Sequence, residues 1–281
     1  MRIGSELGFF QPQQRLDMLG NNAANVGTVG FKAQIDEAAQ AFEPLETEAN
    51  AAKYAQGPGA NQGVGGQGVA GAALYFGKRS DFGQGPIVDT GNPWDLAITG
   101  EGFFQVKGDN GEVLYTRAGN FHLDASGRLT DAAGRFLQLT DAQGQVLNPP
   151  PAIPADATAV TVKEDGTVTA KSQGQEFVVG RIPLAMFANP NGLLQREGSL
   201  YQATTESGAA IRGLAGTGIG NENQNWNAGF GTIRSGALEQ SNVDLAGTML
   251  SLIQAQRAYQ LEARMVKQND DMWGQANAIR R

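Results

Sequence analysis

The chain contains no cysteine, so disulfides, thiolate metal sites and a cysteine nucleophile are all excluded. It has a single histidine, His122. A serine-hydrolase triad would have to use that one ring, and no Gly-x-Ser-x-Gly elbow accompanies it. Aromatic residues are scarce, at 7% of 281 residues. Basic residues are outnumbered, with 21 Lys and Arg against 28 Asp and Glu and a net charge of −7. A surface of that sign does not track phosphates, so nucleic acid is excluded as a partner. No apolar run reaches membrane-spanning length, and the opening residues hold no signal-peptide-like apolar stretch. The expectation is a protein that neither spans a membrane nor carries an ordinary secretion signal.

What is abundant is glycine, with 39 residues, together with short alternating apolar runs. Leu96 to Ile98, Phe103 to Val106, Ala159 to Val162 and Phe177 to Val179 read as strands separated by turns. Three turns repeat one pattern: Asp124 to Gly127, Asp131 to Gly134 and Asp141 to Gly144. Aspartate there bonds its own backbone and glycine takes a positive φ. His122 sits between Phe121 and Leu123, and strand alternation points it away from them, toward solvent.

Both ends have helical periodicity. Leu245, Met249, Leu252, Tyr259, Ala263, Val266 and Trp273 form a coiled-coil-like seam over about Val243 to Ala278. Ser241 with Asp244 resembles a capping box, and Arg280 and Arg281 suit the negative end of the helix dipole. Phe9, Leu16, Leu19, Ala23 and Val26 continue the same period at the N-terminus, ending at Gly27 and Gly30. Pro12 removes a backbone donor, which favours a helix start near Gln11. The fold class expected is α+β: terminal helices forming a coiled-coil-like core and a central all-β domain. The divisions are 1–55, a glycine-rich connector 56–73, a β domain 74–235, and a C-terminal helical segment 236–281.

Chemistry-bearing patterns are weak. Gly63 to Gly68 matches G-x-G-x-x-G, with Asp89 about twenty residues on, but the flanks lack the strand and helix that a dinucleotide site needs. The Asp-rich turns lack the alternating carboxylates of a calcium loop. No cofactor, metal or catalytic group is expected. Trp94, Trp226 and Trp273 are too scattered to argue for the aromatic groove of a secreted β-rich adhesin, the alternative from another class.

Three longer motifs carry a resemblance. Leu16 to Lys32, with Asn21, Asn22, Asn25, Thr28, Gly30 and Phe31, is one. Ser241-Asn242-Val243-Asp244-Leu245, followed by Ile253 to Tyr259, is the second. Thr90 to Ile98, Gly102 to Phe104, and Tyr115 to Phe121 make the third. Together they resemble the bacterial flagellar rod and hook (axial) family over nearly the whole chain. That resemblance implies a self-assembling structural subunit of the basal-body rod, not an enzyme, exported through the flagellum itself. A single β domain fits the distal rod best, with proximal rod or hook as the alternative. Implied partners are other copies in a helical filament, proximal rod and hook-side proteins, and the surrounding rings. The expected assembly interface comprises Leu16, Leu19, Asn21, Asn22, Asn25, Phe31, Leu245, Met249, Leu252, Tyr259 and Val266.

Overall fold

The computed structural model describes residues 6–40, 74–108, 110–154, 157–172, 174–217 and 229–279. The glycine-rich run 56–73, with the Gly63 to Gly68 pattern, lies outside these residues, as do Arg280, Arg281 and Trp226. The chain forms two compact units. One holds the described residues up to Gln34 and from Ser80 onward; the other lies between Ile35 and Arg79.

In the smaller unit, strand Gln34–Gln40 pairs with strand Leu74–Ser80. This corrects the expectation that residue 74 opens the central β domain and that the N-terminal segment is helix and signature alone. A sequence window cannot see pairing across the long glycine-rich insertion, because register is a tertiary choice.

The β body of the larger unit follows the alternating runs. Phe103–Lys107 is the hub of a nine-stranded sheet, pairing with Val113–Thr116, Phe136–Leu137 and Pro183–Met186, all antiparallel. Both of its faces are covered. Phe104 and Val106 enter the main core with Leu96, Ile98, Leu137, Ile182 and Leu184. Phe103 joins a second cluster with Tyr115, Phe187 and Tyr201, where rings meet edge to face. A five-stranded sheet contains Ala157–Val162, Thr167–Ser172 and Gln175–Arg181. Two short ribbons pair residues far apart in sequence, Leu96–Thr99 with Thr232–Ser235 and Ile87–Asp89 with Ala237–Glu239. The second ribbon carries the β structure past residue 235.

The repeated turns behave alike. Asp124 Oδ1 accepts the N–H groups of Ser126 and Arg128 at 2.8 Å each. Asp131 does the same for Ala133 and Arg135, and Asp141 for Gln143 and Gln145. The closing glycines 127, 134 and 144 have φ of 78°, 81° and 81°, a region that only glycine enters at no steric cost. His122 is exposed beside buried Phe121, as alternation required.

Helix α1 spans Glu6–Ala24 and helix α2 spans Leu245–Ile279. The expected start near Gln11 is corrected: α1 begins a turn earlier and runs through Pro12. A proline's fixed φ fits a helix, and here the loss of one backbone donor does not stop it. The expected Ser241–Asp244 capping box does not form. Asp244 itself caps α2, accepting the Ala246 N–H at 3.1 Å, while Ser241 Oγ accepts from Val243 one step earlier.

Candidate assembly site

The two ends of the chain meet over the β body. Asn25 ends α1, donating from Nδ2 to the Asn21 carbonyl at 2.8 Å and accepting from Thr28 Oγ1. Asn22, buried, holds the returning chain by a reciprocal pair: Nδ2 donates to the Gln34 carbonyl at 2.7 Å, and Oδ1 accepts the Gln34 N–H at 2.8 Å. Residues 29–34 then lie as a strap along the body. Val29 O accepts from Ser199, Gly30 N–H donates to Glu239 O, and Ala33 N–H donates to Asn242 Oδ1 at 2.7 Å. Asn242 in turn donates to the carbonyls of Asp81 and Gly83. Gly30 has φ of 65°, and a Cβ there would come within 2.4 Å of Ala118 N. Both the backbone shape and the approach demand glycine.

Beneath the strap is a buried charge cluster. Lys32 and Glu239 side chains are both wholly buried and 2.6 Å apart. Lys32 Nζ also donates to Gly83 O at 2.8 Å, and Glu239 Oε1 accepts the Gly85 N–H at 2.9 Å. Arg117 Nη1 reaches Glu239 Oε2 at 3.4 Å and Gly100 O at 2.9 Å, and its guanidinium lies 5.3 Å from the Phe103 ring centre. Burial pushes the Lys32 ammonium below the usual lysine range, against the raising influence of Glu239. The Arg117 guanidinium is lowered by burial in the same way. Residues of two motifs thus converge with one just outside the second: Lys32 from the first, Arg117 from the third, and Glu239 two residues ahead of Ser241.

The helices leave from this junction. Met18, Leu19 and Ala255 are buried together, with Leu16 and Leu252 packed against them. The expected seam is only partly realised in the single chain. Leu252 and Val266 are half-buried, whereas Leu245, Met249 and Tyr259 are 38%, 53% and 36% exposed. α1 covers one side of α2, Leu16, Met18 and Leu19 packing with Leu252 and Ala255, and α2, with 35 residues against 19, is also the longer helix. Ala255, off the expected seam, takes the buried place beside Met18 and Leu19. Of the remaining expected residues, Asn21 is exposed and Asn25 half-buried, and Phe31 is buried under the strap. Periodicity passed over Glu239 and Arg117. The available signal was Arg117's place inside the third motif and Glu239's at the end of the short strand Ala237–Glu239 that leads into the second.

Two chain ends strapped together on a β body, continuing as an unequal helix pair with apolar residues uncovered, define a structural subunit of the axial type. Comparison with known proteins agrees. The family model described as "Flagellar hook protein FlgE/F/G D1 domain" matches residues 97–170, and "Flagellar basal body rod FlgEFG protein C-terminal" matches residues 234–279. The flagellar basal-body rod protein FlgG of Agrobacterium fabrum is 32% identical over 94% of this chain and 93% of its own. That of Caulobacter vibrioides is 33% identical over 97% and 96%, and that of Borreliella burgdorferi 30% over 98% and 96%. The flagellar hook protein FlgE of Escherichia coli is 40% identical, but over 42% of this chain and 27% of its own. The chain belongs to the flagellar basal-body rod protein family, a structural family and not an enzyme family. Among the described residues no helix is long and apolar enough to cross a membrane.

Proposed function

We propose that the chain is the distal rod subunit of the flagellum, polymerising head to tail into a helical tube that transmits torque to the hook and encloses part of the export channel. In this reading the terminal helices form a coiled-coil-like inner layer and the β body the outer one. The subunit sits in the periplasm-spanning rod, with proximal rod subunits below, hook-side subunits above and the rings around it. No cofactor takes part.

The observation that carries the reading is the apolar surface of α2 left uncovered by α1: Met249, Leu250, Ile253, Leu261, Met265 and Met272 are all exposed. A helix that cannot bury its apolar residues within the subunit buries them against neighbours. Contacts of this unlike-surface kind, whose rotation does not close, build a filament instead of a ring. Leu16, Leu19 and Leu252 set the angle between the helices, while Leu245, Met249, Tyr259 and Val266 meet the next copies. Asn21, Asn22, Asn25 and Phe31 hold the strap that aims both helices. Full-length coverage of the FlgG relatives, against partial coverage of the hook protein, supports rod over hook.

The test is electron microscopy of basal bodies carrying a tagged copy of this subunit. Label along the rod segment next to the hook is expected. Label confined to the proximal rod or to the hook itself would reassign the subunit.

A further inference from the structure

α2 carries a second row of apolar side chains on the side away from α1. Leu250, Leu261, Met265 and Met272 lie roughly 160–220° around the helix axis from Leu252, which packs toward α1, at the usual 100° per residue. All four are between 58% and 60% exposed. Leucine and methionine have much the same apolar bulk, so packing does not tell the two pairs apart, whereas oxidation does. The chain has no cysteine, so its six methionines hold all of its sulfur. Of the five among the described residues, Met18 and Met186 are 3% and 4% exposed, in the helix junction and the main core. Met249, Met265 and Met272 are all exposed, and all three are on α2.

We propose that Met265 and Met272 are an oxidative control on assembly: peroxide converts both to sulfoxides in the free subunit and stops it from joining the polymer, without unfolding it. Each thioether sulfur gives an electron pair to one oxygen of hydrogen peroxide. The S–O bond forms as the O–O bond breaks, and the departing oxygen takes up the proton of the transferred one and leaves as water. The product is a chiral, polar acceptor in place of an apolar sulfur. On the free subunit that acceptor is solvated and costs little. Carried into a dry contact between helices it loses its water without gaining a donor, which opposes the contact. Buried Met18 and Met186 are out of reach of the oxidant, so the fold survives the treatment that silences the surface. The inference rests on the polymer reading and adds a regulation to its helix interface.

Full-length subunit is treated with hydrogen peroxide, sulfoxide at each methionine is quantified by peptide mass spectrometry, and polymerisation is followed by sedimentation and electron microscopy. Met265 and Met272 should oxidise several-fold faster than Met18 and Met186, with the urea midpoint unchanged and the concentration needed for polymerisation raised several-fold. Methionine sulfoxide reductase should restore it. A chain carrying both Met265→Leu and Met272→Leu should polymerise and go on doing so after the same peroxide dose, which assigns the effect to these two sulfurs. In polymer formed before treatment, both should be protected several-fold. Oxidised wild type that polymerises at an unchanged concentration, a doubly substituted chain as peroxide-sensitive as wild type, or equal oxidation rates in polymer and free subunit would each overturn the control and leave the polymer reading intact. Failure of the untreated chain to polymerise brings down both.

Discussion

Lys32 and Glu239 form a fully buried ion pair at 2.6 Å although 207 residues separate them in the chain. With Arg117 they place two cations around one carboxylate, so Glu239 is the only acidic partner in direct ion-pair contact with either among the described residues. Glu239→Ala leaves both cations buried and uncompensated, and the expected cost is about 3–5 kcal/mol. Urea unfolding with matched slopes checks it. A midpoint unchanged from wild type would show that the cluster is not holding the ends together.

The strap depends on two small features. Gly134→Ala meets open space and pays only for left-handed backbone, about 1–2 kcal/mol. Gly30→Ala adds a collision with Ala118 and should be substantially worse, releasing amide protons of residues 29–34 to exchange. Asn22→Ala should expose the same segment by removing the pair to Gln34. Hydrogen exchange read residue by residue compares the three. Equal protection in Gly30→Ala and Gly134→Ala would contradict the close approach.

Acid should loosen the turns before it unfolds the body. The Asp124 carboxyl is held below its usual 3.8 by the Arg128 N–H first, then by the Ser126 N–H and the Arg128 guanidinium. Asp165 is lowered mainly by the Thr167 N–H. A carboxylate whose folded pKa is depressed gives stability that is complete above its unfolded pKa and lost as pH falls through the folded one. The window therefore opens near 3.8 and extends downward. Carboxyl NMR titration should place both midpoints below 3.8, and Asp124→Asn should flatten that part of the stability profile.

Assembly and folding should separate at α2. Met265 is 58% exposed, so Met265→Asp is expected to leave the subunit's unfolding midpoint within about 0.5 kcal/mol of wild type while abolishing polymer and motility. Leu252→Asp should abolish polymer too, but by unpacking α2 from α1, seen as cleavage of the helices by protease around an intact β body. Rods formed by either variant would refute the helix interface.

His122 offers the opposite control. It is exposed on its strand, and the structural role requires nothing of it. Full motility is expected for His122→Ala in a swarming assay. Loss of motility from that change alone would call for a chemical role that a rod subunit does not have.

Local physics was readable along the chain. Aspartate and glycine at fixed offsets made the three turns, alternation set Phe121 in and His122 out, and helical periodicity placed α1 and α2 to within a few residues. Within the family motifs only part was local in this way: Asn25 caps α1 through Asn21 and Thr28, whereas Asn22, Gly30 and Asn242 make contacts with distant segments. Only the tertiary structure decided the rest. It brought Lys32, Arg117 and Glu239 to one buried point and paired Gln34–Gln40 with Leu74–Ser80. It also buried Met18 and Ala255, which lie off the expected period, together with Leu19, and left much of α2 exposed. Each of these depends on which distant surfaces come together, a quantity that residue spacing does not encode because burial is a property of pairs of elements and not of either alone.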